Sequence, residues 1–249
     1  MTQAVVPAGE VAINEPQEKE HLLTFQEYLD YEGEPDFLYE LVRGKLIAMS
    51  APTLEDIQIC EFLRYKLQCY VAAQNLFLVV KTTVGVRTEE NSYRIPDAIV
   101  CNQSLWEQIR ARPGAGVLDF DEKPILAVEI VSSDRREDYV IKRNEYETAE
   151  IAEYWIVDPK KKRVRVFVNH SEEGYSWDDF TEDTSIISGQ LEQLFLSVKE
   201  LLAPPLVEEL IREEQAQIKT MKERVAEGKG ADKLAQQLRE MGVNPDDID

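Results

Sequence analysis

The chain has 249 residues, of which 43% are apolar, and its formal net charge is −20 at pH 7. A chain of this length can bury one sizeable core, so we expect one main domain with appendages. The acidic balance argues against broad, sequence-independent binding of polyanions, because such binding needs a basic surface.

Histidine and cysteine usage excludes further classes of protein. The two histidines, His21 and His170, are too few for zinc hydrolases, HNH nucleases or Ser-His-Asp hydrolases. The three cysteines, Cys60, Cys69 and Cys101, are far apart and form no CxxC, which favours a reducing compartment. No segment has the pattern of a signal peptide or of a membrane span, so we expect a cytoplasmic protein.

The first half of the chain predicts an arm, a short helix, a hairpin and a long helix. Residues 1–20 are polar and aperiodic, which predicts a disordered arm. Thr24 and Glu27 have the capping-box spacing of a short helix. Two alternating segments around Gly44 predict a hairpin, and residues 54–75 have the apolar spacing of an amphipathic helix.

From residue 76 onward, strands alternate with helices, which predicts an α/β core over 21–202. The segments "LFLVVKTTVGVR", "YRIPDAIVC", "PILAVEIVSS", "IAEYWIVD" and "VRVFV" read as strands, and "DRREDYVIKRNEYETAE" reads as a helix. The prolines of "APP" at 203–205 mark a boundary. Residues 206–249 predict a helical extension whose apolar a/d stripe favours a coiled coil, and hence a homodimer or docking to a protein partner.

Acidic residues inside two predicted core strands give the strongest chemical signal. Glu129 lies within the apolar run "LAVEIVSS", and Asp97 follows Pro96 at the start of "PDAIV". An unpaired buried carboxylate costs several kcal/mol, and one divalent cation can compensate two of them. Carboxylate oxygens are the ligands that Mg²⁺ prefers. The helix that follows places Lys142 on one face with Asp138, where an ammonium can orient a metal-bound water or stabilise charge on a phosphate.

Each of these residues also has a structural interpretation that the residues alone leave open. Aspartate is common beside turns, so Asp97 can have a purely structural role after Pro96. Glu129 can belong to a structural ion pair with a buried Arg or Lys. Lys142 can be a solvated helix residue paired with Asp138. Glu40, considered alone, reads as a surface residue of a hairpin. The turn "PKKKRVR" is either a phosphate-contacting patch or a solvated edge, and the solvated edge is slightly favoured.

The ordered motifs "YELVRGKLIAMS", "RIPDAIV" and "LAVEIVSSDRREDYVIKRNEYETAEIAEYWIVDP" resemble the Uma2 family, also called DUF820. The resemblance covers roughly residues 22–200. That family belongs to the PD-(D/E)xK nuclease superfamily, so the resemblance implies a restriction-endonuclease-like mixed β-sheet flanked by helices. It also implies a metal-dependent endonuclease that hydrolyses phosphodiester bonds in DNA with Mg²⁺ or Mn²⁺.

The resemblance further assigns roles to individual residues. Asp97 corresponds to the PD aspartate and Glu129 to the acidic residue of the (D/E)xK half-motif. Val131 stands where the superfamily has its lysine, and Lys142 on the next helix fits the displaced position. Glu40 fits an additional acidic position. The implied metal ligands are Asp97, Glu129 and the Val131 carbonyl, and the implied catalytic residues are Glu40, Asp97, Glu129 and Lys142.

A function from another class also agrees with the sequence. The charge of −20 repels DNA except at a local basic patch, which favours a non-catalytic interaction protein that keeps the nuclease-like fold. The joint presence of the four implied catalytic residues favours the enzyme.

Overall fold

The structure is a computed structural model, and it describes residues 22–31, 38–112, 116–131, 134–170, 173–226 and 231–244. The arm predicted over residues 1–20 lies outside the described residues. The strands are β1 (Tyr39–Val42), β2 (Lys45–Ala48), β3 (Leu78–Lys81), β4 (Gly85–Glu89), β5 (Ser92–Arg94), β6 (Ala98–Asn102), β7 (Val117–Leu118), β8 (Leu126–Ile130), β9 (Glu153–Asp158), β10 (Arg163–Asn169), β11 (Tyr175–Thr181), β12 (Ser185–Ile186) and β13 (Leu196–Ser197). The α-helices are α1 (Phe25–Leu29), α2 (Leu54–Ala73), α3 (Gln103–Arg110), α4 (Arg143–Thr148), α5 (Val198–Leu202), α6 (Val207–Ala226) and α7 (Ala231–Glu240), and a π-helix (Glu137–Lys142) leads directly into α4.

The larger sheet has six strands in the order β11-β10-β9-β8-β6-β3. It is mixed, because β8 is parallel to β9 and all its other neighbouring pairs are antiparallel. Every residue of β8 is buried. The continuous apolar run of this strand therefore predicted its central position correctly, since a strand covered on both faces needs no polar alternation.

The smaller sheet has five strands in the order β2-β1-β5-β4-β7. Its β1–β2 hairpin turns at Arg43 and Gly44, both with positive φ, as a two-residue hairpin turn requires. A Cβ at Gly44 would lie 2.9 Å from the Cβ of Leu22, so glycine is also needed for space. The predicted hairpin and the capping box at Thr24 are both confirmed.

Two segments that were predicted as single strands each contribute to both sheets. "LFLVVKTTVGVR" forms β3 in the larger sheet and β4 in the smaller one, with a bend at Thr83, which has φ +60°. "YRIPDAIVC" forms β5 and β6, and the break falls at Pro96 and Asp97. Proline has no N–H to donate to a ladder, so the strand ends there. Asp97 therefore lies just before β6 and not within it, at the seam between the sheets.

Helix α2 covers one face of the larger sheet through Ile59, Phe62 and Leu63, together with Leu67. The predicted apolar stripe was wrong at its N-terminal end, because Leu54 is 81% exposed. Ile57 in the same turn is exposed as well, and the helix contributes to the core only from Ile59 onward. The opposite face is covered by α3, the π-helix and α4.

Helix α6 begins at Val207, as predicted, with only Leu206 between it and the proline pair. Val207 and Leu210 pack against the core that α2 covers, while Ile211 is exposed. The homodimer and the coiled coil stay predictions. Within the described ranges, no helix combines the length and the apolar character that a membrane span needs.

Candidate active site

Glu129 projects from the central strand β8 into a polar pocket under the π-helix and α4. The side chain is only 4% exposed. Its Oε1 accepts a hydrogen bond from the Tyr146 hydroxyl at 2.8 Å, and its Oε2 lies 2.9 Å from Nζ of Lys142. The acid inside the apolar strand is therefore paired with a buried lysine and a tyrosine.

Lys142 joins β8 to the smaller sheet. Its Nζ lies 2.9 Å from Glu129 and 3.3 Å from Oε1 of Glu40 on β1, and the side chain is buried. The interpretation of Lys142 as a solvated helix residue is wrong. Lys142 is the last residue of the π-helix, a widened helical turn that is frequent at functional sites. Asp138, the predicted partner one turn earlier, is buried, and its Oδ2 has no hydrogen-bond partner among the described residues.

Glu40 is buried, so its interpretation as a surface residue is also wrong. Oε1 accepts a hydrogen bond from the Ile95 N–H at 3.0 Å, and Oε2 pairs with the Arg94 guanidinium at 2.9 Å. The alternation of the hairpin points Glu40 toward the seam between the sheets, a tertiary relationship that a local pattern does not contain.

Arg94 is a buried cation that sequence reasoning missed. It forms a two-pronged pair with Glu145, with Nε–Oε2 and Nη2–Oε1 distances of 2.7 Å, and also pairs with Glu40 and Glu137 at 2.9 Å. A signal was present in the helix, where Asp138, Lys142 and Glu145 recur at i, i+4 and i+7. All three side chains are buried. A charged stripe at helical spacing facing a sheet predicts buried partners on that sheet.

Asp97 lies beside Glu129 at the end of the paired strands. The antiparallel register pairs Ala98 with Val128, and continuing it by one residue sets Asp97 against Glu129, whose carboxyl is within reach of the Asp97 charge. Oδ2 of Asp97 accepts a hydrogen bond from the Ile130 N–H at 2.6 Å. The two predicted carboxylates are therefore cross-strand neighbours.

The backbone next to Asp97 belongs to Ile130 and not to Val131. The Val131 N–H donates to the Val157 carbonyl on the far side of β8. In a strand, the N–H and C=O of one residue point to the same side. The carbonyl of Ile130 is therefore better placed than the predicted Val131 carbonyl to act as a third oxygen ligand.

Burial and charge shift the pKa values of the site in opposite directions. Burial raises the pKa of Glu129 to about 8 although Lys142 opposes the shift, and burial likewise raises the pKa of Asp138 to about 7. Burial also raises the pKa of Asp97. Burial would raise the pKa of Glu40 too, but Lys142 and Arg94 outweigh it, and the pKa lies below its usual value. Glu129, Asp138 and Asp97 are therefore harder to ionise than carboxylic acids exposed to water.

The donor chemistry of the site fits a hard divalent cation. Six carboxylates, Glu40, Asp97, Glu129, Glu137, Asp138 and Glu145, share the two buried cations Lys142 and Arg94. Among the described residues, no group of three or more Asp, Glu, His or Cys is spaced to hold a metal ion. Mg²⁺ is commonly held by one or two carboxylates plus waters and substrate phosphates, so the pair Asp97 and Glu129 suffices.

A cleft of about 560 Å³ opens beside Asp97. Its apolar lining includes Ile57 of α2, and its polar lining includes Arg64 and Thr83. Asp56 also lines it, and its carboxylate accepts a hydrogen bond from the Thr53 N–H and so caps α2. The volume suits a small group of a larger substrate placed next to the carboxylates.

The fold and the site define an α/β protein in which buried carboxylates and a lysine meet where a mixed sheet adjoins a cleft. The sequence profile of the Uma2 family, described as "Putative restriction endonuclease", matches residues 25–199, and the chain belongs to this family. This confirms the family resemblance of the motifs. None of the curated proteins matches the chain.

A solved structure shows the same fold. The chain is similar to a protein from Anabaena variabilis ATCC 29413 described as a putative nuclease belonging to DUF820, with a TM-score of 0.60 and 18% sequence identity. The similarity covers 73% of this chain and 98% of that chain. The predicted α/β fold of mixed sheets flanked by helices is therefore confirmed.

Proposed function

We propose that this protein is a divalent-metal-dependent endonuclease that hydrolyses phosphodiester bonds in DNA. The observation that carries the proposal is the convergence of Glu40, Asp97, Glu129 and Lys142, from four separate segments, at one buried position beside a cleft. Membership of a family described as "Putative restriction endonuclease" supports it. Structural ion pairs also bury acids, but the excess of carboxylates over cations favours a site that takes up positive charge.

Asp97 and Glu129 would hold Mg²⁺ or Mn²⁺, with the backbone carbonyl of Ile130 as a third oxygen. The bound ion would lower the pKa of a water ligand and neutralise phosphate charge. Lys142 positions the nucleophilic water and stabilises negative charge on the phosphate through its ammonium. Glu40 holds Lys142 in place from the other sheet, and Tyr146 fixes the orientation of the Glu129 carboxyl.

The test is cleavage of supercoiled plasmid DNA with Mg²⁺ or Mn²⁺ by wild-type protein and by Asp97→Asn, Glu129→Gln and Lys142→Met variants. We expect each substitution to lower the rate by about 100-fold or more. An Asp121→Asn variant, altered at an exposed turn, is the matched control and should cleave like wild type. Equal rates in all five proteins, or cleavage that persists in EDTA, would contradict the proposal.

One observation favours the rival function of a non-catalytic interaction protein. Lys142 already bridges Glu40 and Glu129, so the site can persist as a structural ion pair without a metal. The two functions differ in metal binding: an enzyme site binds Mn²⁺ through Asp97, whereas a purely structural site does not. Absence of stabilisation by Mn²⁺, together with absence of cleavage, would favour the rival.

A further inference from the structure

A row of arginines and aromatic rings lies on the sheet face that also carries Glu129. The Arg165 guanidinium stacks 3.8 Å over the Trp177 ring, and Arg135, Arg163 and Arg165 lie within 4.8 to 5.6 Å of the Tyr139 ring. We call these residues, together with the hairpin lysines 160–162, the basic–aromatic patch. Trp177 is 52% exposed although one side of its ring contacts Arg165.

The charges of this patch contrast with the rest of the chain. Three carboxylates pair with four of its six basic residues: Asp158 with Arg135, Asp179 with Arg163 and Arg165, and Glu182 with Lys162. The side chains of the three lysines are exposed, whereas those of Arg163 and Arg165 are held rigidly by Asp179. In a chain of net charge −20, exposed lysines near an exposed indole are where a polyanion can approach.

The lysine turn of the patch lies at the same end of the larger sheet as the proposed active site. The parallel strands β8 and β9 end side by side at Ile130 and Asp158, so the lysine turn lies at the same end of the sheet as Asp97. From β6 to β11 there are four strand spacings, which is about 19 Å.

We infer that the basic–aromatic patch binds single-stranded nucleic acid, with a base stacked on Trp177 and phosphates on the lysine turn. The exposed indole offers a ring face to any base, and base stacking on aromatic side chains combined with cationic contacts is how proteins hold single strands. A duplex buries its base faces and cannot use the indole in this way. The inference rests on the proposed function, because a nuclease has a use for such a binding surface. The binding itself requires no catalysis.

Fluorescence anisotropy with a fluorescein-labelled single strand of about 12 nucleotides in EDTA and about 50 mM salt tests the inference. We expect Trp177→Ala to weaken binding about tenfold and Trp177→Phe to restore most of the affinity. Replacement of Lys160, Lys161 and Lys162 by alanine should lower the slope of log affinity against log salt by about 2. The matched control is Phe77→Ala, which removes an aromatic side chain that is 82% exposed beside the opposite edge strand β3.

Strand length and strandedness provide the remaining arms of the test. A single strand of about 4 nucleotides should bind more weakly than the longer one, because it offers fewer phosphates to the lysine turn. A duplex of the longer length should be insensitive to Trp177→Ala. The inference is overturned if the wild-type protein does not bind the single strand, or if Trp177→Ala and Phe77→Ala bind it equally. Because no metal is present, retained binding by a cleavage-deficient Asp97→Asn variant separates this result from the test of the nuclease.

Discussion

Nζ of Lys142 lies 2.9 Å from Oε2 of Glu129, although the residues belong to a π-helix and a central strand. The family resemblance led us to expect a lysine where Val131 stands, and Lys142 instead brings an ammonium to Glu129 from the following helix. The pair is buried, so its two members depend on each other more strongly than a surface ion pair would allow.

Substitution of either member of this pair should show that dependence. We expect Lys142→Met and Glu129→Gln each to lower the free energy of unfolding, with Lys142→Met costing about 3 kcal/mol because it leaves Glu129 and Glu40 without their cation. The double variant should lose less than the sum of the two. Urea unfolding of the four proteins measures the coupling. Strict additivity would show that the contact contributes nothing to stability.

Mn²⁺ should stabilise the folded chain through Asp97. At a concentration about 100-fold above its dissociation constant, an ion that binds only the folded state adds about 2.7 kcal/mol. We expect thermal unfolding to shift upward with Mn²⁺ in wild type and in Asp121→Asn, and to stay unchanged in Asp97→Asn. A shift of the same size in Asp97→Asn would remove this residue from the metal site.

Asp138 should make stability depend on pH. Its pKa in the folded state is raised to about 7 by burial, against about 3.9 in the unfolded chain. The folded state therefore binds more protons, and this contribution to stability is complete below about pH 4 and lost as the pH rises through about 7. Between pH 5 and pH 8, wild type should lose more stability than Asp138→Asn. Urea unfolding at both pH values measures the difference, with Asp121→Asn as the control, and parallel curves for wild type and Asp138→Asn would contradict the assignment.

Arg94 should be the most sensitive buried residue of the network. Its guanidinium contacts Glu40, Glu137 and Glu145, and lysine cannot reproduce the two-pronged contact with Glu145. We expect Arg94→Met to cost about 3–5 kcal/mol and Arg94→Lys to recover only part of that loss. Chemical denaturation provides the measurement. The comparison variant is Arg112→Lys, since Arg112 pairs with Glu122 in an exposed position, and it should unfold like wild type. A loss of similar size in both lysine variants would mean that burial of Arg94 has no energetic role.

The sequence predicted those parts of the fold that depend on local patterns. The apolar run of β8, the Gly44 hairpin and the Thr24 cap follow from strand composition, turn geometry and backbone hydrogen bonding within a few residues. The sequence did not predict that two of the segments each contribute to both sheets. The residues of a strand do not show which sheet the strand will join. The prediction of one strand through Pro96 was wrong, because the missing N–H of proline interrupts the ladder there.

Some residues of the candidate site could likewise be predicted from local patterns, and others could not. Glu129 and Asp97 were conspicuous as acids in apolar surroundings. Arg94 was not, because an arginine between Tyr93 and Ile95 looks like the solvent-facing member of an alternating strand. Its burial depends on two carboxylates that are distant in the chain. Glu145 lies 51 residues away and Glu40 lies 54 residues away. Glu40 itself was assigned to the site only through the family resemblance.

The seam between the two sheets has a consequence for how the chain folds. Glu40 on β1 meets Lys142 and Arg94 only after β1, β5 and the π-helix have all assembled, so these contacts depend on closing long loops. Long-range contacts form late in folding, and mutations of late-forming contacts change mainly the rate of unfolding. The four proposed catalytic side chains therefore come together only when both sheets are in place. No folding intermediate that lacks either sheet can present all four of them.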